Sequence, residues 1–205
     1  MGYDGSVFKM IKLVITSIIR RFNIFLNKCF NLKQTDYHRW SNNHNLSCGW
    51  ESRNPVIASM IEPNSKILEF GAGTMTLPKY LPENCTYIPS DIIERIPGMF
   101  ICDLNAKNLP AIPDVGIVVF SGVLEYLEDM PRIINYLQKF CHTIVASYEI
   151  CITKNPREIR SRRAAGWIND YTEEEFMKIF QYEGFVCIKK TTWNNQIICK
   201  FNRYI

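Results

Sequence analysis

From Lys66 to the C-terminus, short apolar runs alternate with longer amphipathic segments, and that alternation narrows the fold more than any other feature. Ile67–Phe70 is an apolar run that ends in a glycine turn, within "KILEFGAGTMTLPKYL". Val115–Phe120, "VGIVVF", and Thr143–Ile150, "TIVASYEI", are almost continuously apolar, the pattern of strands buried on both faces of a parallel sheet. "TYIPSD" reads as a further strand and "GMFICDL" as a weaker one. Helices are expected over Val56–Ile61, Met75–Leu81 and Val123–Cys141, the last broken near Pro131. A fourth covers Thr172–Tyr182, where Thr172 and Glu175 have the spacing of a capping box. "GFVCIKKTTW" and "QIICKF" flank Asn194-Asn195 as a hairpin. The expectation is an α/β chain on a mostly parallel twisted sheet, with an antiparallel C-terminal hairpin at its edge.

A chain of 205 residues, 47% of them hydrophobic, can bury one sizeable core. The net charge of +4 is too small to imply nucleic acid, and no aromatic-basic interleaving supports it, so no nucleic-acid partner is expected. The eight cysteines never fall as C-x-x-C, and several lie in apolar runs such as "FICDL" and "QIICKF". They read as small core residues of a protein in a reducing, cytoplasmic compartment. No His/Cys/Asp group has metal-ligand spacing, and no metal is expected.

Residues 1–33 are set apart by their charge. Ser6–Asn31 carries Lys9, Lys12, Arg20, Arg21 and Lys28 and no acid, with apolar residues at helical spacing on the other face. The uncharged stretch Leu13–Ile19 is far shorter than the roughly 20 residues of a membrane span. Two readings stay open: a helix docked on the domain or on a protein partner, or a basic amphipathic helix peripheral to the inner face of an anionic membrane. Residues 34–205 form the second unit, the domain that carries the site.

In a parallel sheet, ligands bind beyond the carboxyl ends of the strands, where Gly71-Ala72-Gly73 lies. A P-loop needs Gly-Lys-Ser/Thr after its glycines, and this chain has Gly73-Thr74-Met75. A dinucleotide fingerprint needs Gly or Ala where Thr76 stands, which counts against a nicotinamide oxidoreductase. Glu69 would repel phosphate at either site. An acid there suits a ligand with a cationic amine and a sulfonium.

From Val56 onward the sequence resembles the class I S-adenosylmethionine-dependent methyltransferases, which implies a Rossmann-like methyltransferase fold. "ILEFGAG" matches the family's first motif, with Met75 in place of its usual third glycine. Asp91 in "YIPSDI", about 20 residues after Gly71, matches the acid that holds the ribose hydroxyls. Asp103 in "FICDLN" matches the acid beside the adenine, and Ser121-Gly122 in "VGIVVFSGVLEYLED" matches the fourth-strand motif. The resemblance implies S-adenosyl-L-methionine as cofactor, held by Glu69, Phe70, Gly71, Ala72 and Gly73 at the first strand. Asp91 and Ile92, Asp103 and Leu104, and Ser121 and Gly122 complete the set at the next strands. More loosely, "SRRAAGWINDYTEEEFMKIFQYEGF" is similar to methyltransferases related to the methionine-biosynthesis MetW group and to small ones encoded with glycan pathways, a likeness that sets no substrate.

Methyl transfer asks an enzyme for alignment and for removal of a proton from the acceptor. Glu125, just past the fourth strand, is the candidate catalytic acid or base; as a plain alternative it is an acid favoured by a helix N-terminus. Tyr126, Tyr148, Arg163, Trp167 and Asn169 are the candidate acceptor-binding residues, the last three in a basic loop before the capped helix. His38 and His44 lie where the family places a lid, and either is a second choice of base. The expected activity is methyl transfer to a small-molecule or glycan acceptor, at oxygen. The competing reading is a non-catalytic methyltransferase-like regulatory or scaffolding module, suggested by Met75 at the third-glycine position.

Overall fold

The computed structural model describes residues 35–46 and 48–204. The expected amphipathic helix of residues 1–33 lies outside them. The described chain is a single seven-stranded sheet with helices on both faces. Its strands are β1 (Lys66–Phe70), β2 (Thr86–Asp91), β3 (Phe100–Ile101), β4 (Ile117–Ser121), β5 (Thr143–Glu149), β6 (Phe185–Trp193) and β7 (Gln196–Arg203). The order is β3-β2-β1-β4-β5-β7-β6, and only β7 runs antiparallel to its neighbours. The hairpin is present, but its second strand slots between β5 and β6, so that β6, not the antiparallel strand, forms the edge. The order reverses between β1 and β4, which opens the crevice where α/β sheets bind ligands.

The two faces follow from the period of two along each strand. Leu68 and Phe70 of β1 and Val118 and Phe120 of β4 point to one face. There they meet Ile133, Ile134 and Leu137 of α3 (Met130–Leu137) and Phe176 and Phe180 of α5 (Glu173–Tyr182). Phe180 stacks on Phe201 with centroids 3.8 Å apart. Ile67, Ile117, Val119, Val145 and Ile198 point to the other face, against Ile57 and Ala58 of α2 (Asn54–Ala58). Glu69, Ser121 and Gln196 share that second face with Ile67, Val119 and Ile198. Met60, Ile61 and Leu77 complete the cover on that face.

Three expected elements differ. Met75–Leu81 is not a helix but a 3-10 segment over Leu77–Tyr80, because Met75 sits at φ +52 and Pro78 removes a backbone donor. Val123–Cys141 divides into a 3-10 turn at Leu124–Tyr126 and α3, which starts at Met130 with Asp129 as N-cap and Pro131 in its first turn. The basic loop before Thr172 contains a helix, α4 (Pro156–Ala165). Its signals were present: Asn155 caps the Glu158 N–H, Pro156 opens the first turn, and Gly166 closes it at φ +87. The capping box of Thr172 and Glu175 at the start of α5 forms as expected.

Candidate functional site

A cleft of about 190 Å³ lies across the carboxyl ends of β1, β2, β3 and β4. The first strand contributes Glu69, Phe70, Gly71, Ala72 and Gly73 to its wall. Asp91 and Ile92 follow from β2, Asp103 and Leu104 from beyond β3, and Ser121 and Gly122 from the end of β4. The eleven positions that the resemblance named for the cofactor thus surround one space.

Gly71 has φ +69, and a Cβ there would lie 2.3 Å from Val123 Cγ2, so the turn brings its backbone hard against the segment after β4. Asp91 Oδ1 accepts from the Ile92 N–H (2.7 Å), and Oδ2 accepts from the Gly73 N–H (3.1 Å) and Arg95 Nε (2.7 Å). Asp103 Oδ1 accepts from Thr35 Oγ1 (2.6 Å) and the Asn105 N–H (3.0 Å), and Oδ2 from the Tyr37 hydroxyl (2.8 Å). A carboxylate offers about four acceptor positions, so among the described residues each acid retains one for a ligand.

Glu69 faces the same side as Ile67, at the cleft end of β1. It is buried, and Oε2 accepts from the Tyr87 hydroxyl over 2.5 Å. Burial pushes its pKa up to about 8, against the hydrogen bond from Tyr87 and the field of Arg53. Glu125 is 1% exposed; Oε1 accepts from the Glu149 N–H (2.8 Å), while Oε2 has no hydrogen-bond partner among the described residues. Burial raises its pKa as well.

Of the candidate acceptor-binding residues, Tyr126 and Trp167 line the cleft, joined by a 3.1 Å hydrogen bond from Trp167 Nε1 to the Tyr126 hydroxyl. Tyr148, Arg163 and Asn169 do not line it. Asn169 Nδ2 donates to the Leu124 and Leu127 carbonyls (2.7 and 2.9 Å), and its Oδ1 accepts from the Tyr148 hydroxyl (2.7 Å). Buried behind the wall, the pair fixes the turn that carries Glu125 and Tyr126. Arg163, in the last turn of α4, is paired with Asp170 and donates to the Trp167 carbonyl (3.0 Å). His38 and His44 are exposed and off the cleft wall, in α1 (Tyr37–Trp40) and the 3-10 turn Asn43–Asn45.

The same segment supplies residues that sequence reasoning missed. Trp40 and Leu46 cover the cleft, and the Trp40 carbonyl and Asn43 Oδ1 each accept from Arg95 at 2.6 Å. Arg53, at the N-terminus of α2, is 5% exposed on the cleft wall. Its Nη1 donates to Gln196 Oε1 (2.8 Å), and its Nη2 to the Ser121 carbonyl and Oγ (both 2.9 Å). No short motif marks Arg53. Its signal lies in the shared face of Glu69, Ser121 and Gln196, which only strand register reveals.

No family model matches the sequence, and no curated protein matches it. Solved structures do resemble the fold. The mitomycin 7-O-methyltransferase superposes with TM-score 0.62 at 11% identity, over 79% of this chain and 56% of that one. The human N-acetylserotonin methyltransferase in complex with SAM gives 0.63 at 11% identity, over 83% and 57%. The Burkholderia thailandensis 1,6-didemethyltoxoflavin-N1-methyltransferase, bound to its namesake and S-adenosylhomocysteine, gives 0.60 at 11% identity, over 93% and 89%. This chain spans little more than half the length of the first two. It has the class I methyltransferase fold.

Proposed function

We propose that this chain binds S-adenosyl-L-methionine in the cleft and transfers its methyl group to a small-molecule acceptor, at an oxygen. One observation carries the reading: the acid–glycine turn, Asp91, Asp103 and Ser121-Gly122 stand at the ends of four strands and face one cleft. The residues fit the cofactor chemically. Asp91 and Asp103 each keep an acceptor position for a ribose hydroxyl or an adenine amine. Glu69, whose charged form burial disfavours even in the field of Arg53, gains a further counter-charge when a ligand ammonium arrives.

The cofactor supplies an electrophilic methyl group on sulfonium; alignment and the proton fall to the protein. As the oxygen–methyl bond forms, the sulfur–methyl bond breaks with its electron pair left on sulfur, and the acceptor hydroxyl loses a proton. Glu125 lines the same cleft, its Oε2 has no hydrogen-bond partner among the described residues, and burial makes its carboxylate more basic, which suits it to take that proton. The Glu149 N–H on Oε1 holds the carboxyl in place.

Calorimetry of the full chain with S-adenosylhomocysteine, followed by a methyl-transfer screen over hydroxylated small molecules and glycans, tests the reading. Submillimolar binding that Asp91→Ala weakens, with turnover on at least one acceptor, is the expected result. Binding without turnover on any acceptor favours the non-catalytic module, and the absence of binding overturns the cofactor assignment.

A further inference from the structure

We propose that Arg53 is the anion-recognition residue for the acceptor, and that the acceptor is a small flat ring bearing a carboxylate. The proposal rests on the methyltransferase reading of the cleft and names the acceptor class that this reading leaves open.

The first observation is an uncompensated charge. The guanidinium of Arg53 is almost wholly buried, yet its hydrogen-bond partners, Gln196 and Ser121, are all neutral. None of the ion pairs among the described residues includes it. Its Nε has no partner among the described residues. The acids that act on it through space, Glu69 and Glu125, are buried carboxyls whose charged forms are themselves disfavoured. A buried cation that meets only neutral groups is costly in isolation and is satisfied when a ligand brings the opposite charge.

The second observation is that the position is built. Gly122 follows β4 at φ +70, and a Cβ there would lie 2.7 Å from Arg53 Nη1. Only a glycine lets the guanidinium lie on that backbone. Arg53 bridges the end of β4 to the start of β7 and so straddles β5, whereas Asp91 and Asp103 lie on the other side of β1. The cation therefore stands past the glycine turn, away from the acids proposed for the nucleoside.

The third observation is aromatic. Trp40, Trp50, Tyr126 and Trp167 line the same cleft. Trp40 lies edge-on to Tyr126 with centroids 5.0 Å apart, and 6.4 Å from Trp50. Rings on the walls of a small cleft favour a flat guest, and Glu125 on the same wall is the group proposed to take the proton of its hydroxyl.

The test uses the full chain saturated with S-adenosylhomocysteine and two probes of equal shape, 4-hydroxybenzoate and the uncharged 4-hydroxybenzamide. Quenching of tryptophan fluorescence reports binding. The expected result is at least tenfold tighter binding of the carboxylate. In Arg53→Gln that preference should vanish while the amide's affinity holds, and affinity for S-adenosylhomocysteine, which Arg53 touches only through its bonds to Ser121, should fall far less than affinity for the carboxylate. Equal binding of both probes by the wild-type chain overturns the proposal without any variant having to fold. A parallel loss of S-adenosylhomocysteine affinity in Arg53→Gln also overturns it, since the guanidinium then holds the cofactor's own carboxylate. A wild-type chain that takes up no S-adenosylhomocysteine refutes the methyltransferase reading, and this proposal with it.

Discussion

Arg95 Nε donates to Asp91 Oδ2 over 2.7 Å with only 5% and 8% of the two side chains exposed, and the same guanidinium holds Trp40 and Asn43. One buried ion pair therefore ties the end of β2 to the segment that covers the cleft. Asp91→Ala should lower the affinity for S-adenosylhomocysteine by roughly 1.5–3 kcal/mol, the range for hydrogen bonds to a charged group. It should also destabilise the fold by about 3–5 kcal/mol, because Arg95 is left buried without its counter-charge. Calorimetry and thermal melts read the two effects separately, and an unchanged melt would mean that the pair is not buried in solution.

Gly71 is constrained by its conformation as well as by space. At φ +69, any L side chain costs about 1–2 kcal/mol, and its Cβ would collide with Val123. Gly71→Ala should therefore lose both stability and S-adenosylhomocysteine binding. Adding Val123→Ala relieves the collision alone, so the double variant should recover only part of the stability. Full recovery would show that the backbone conformation carries no penalty.

The pKa of Glu69 gives a pH signature. It is raised from 4.5 to about 8, so between these values the folded chain holds a proton that the unfolded chain releases. Through this group, stability falls as pH rises from about 4.5 to about 8. Glu69→Gln is neutral in both states, and Tyr87, Arg53 and Asp91 face it unchanged. The melting temperature of the wild type relative to Glu69→Gln should drop between pH 5.5 and 8.5. A constant difference across that range would contradict the assignment.

Trp167 and Arg163 should behave differently from each other. Arg163 faces Asp170 and is partly exposed, so Arg163→Ala should cost about 1 kcal/mol of stability or less and leave the acceptor KM unchanged. Trp167→Phe removes the donor to the Tyr126 hydroxyl and shortens the ring on that wall of the cleft, and should raise the acceptor KM several-fold while S-adenosylhomocysteine affinity holds. Kinetics on an identified acceptor, run beside thermal melts, check both. Equal effects in the two variants would place the acceptor elsewhere.

Much of this molecule was legible from local pattern. Continuous apolar runs marked β4 and β5, because a strand covered on both faces has no polar side to show. The glycine turn was legible because close backbone approach requires glycine at the end of a strand, whereas Asp91 and Asp103 were named through the family resemblance and are found on the wall of the same cleft. The capping box at Thr172 was readable for the same reason, since its two partners lie three residues apart.

What tertiary structure decided depends on groups distant in sequence. Arg53 carries no local signal: it acquires its meaning from Ser121 and Gln196, which the sheet order brings to one face. Asn169 and Tyr148 read as acceptor ligands among their neighbours, yet packing turns both behind the wall, where Asn169 satisfies the carbonyls of Leu124 and Leu127. Sequence sets which groups need partners, because propensity, capping and turn chemistry act over a few residues. Which partner each buried polar group obtains is settled by strand order and register, because hydrogen bonds and charges act over a few ångströms whatever the distance along the chain.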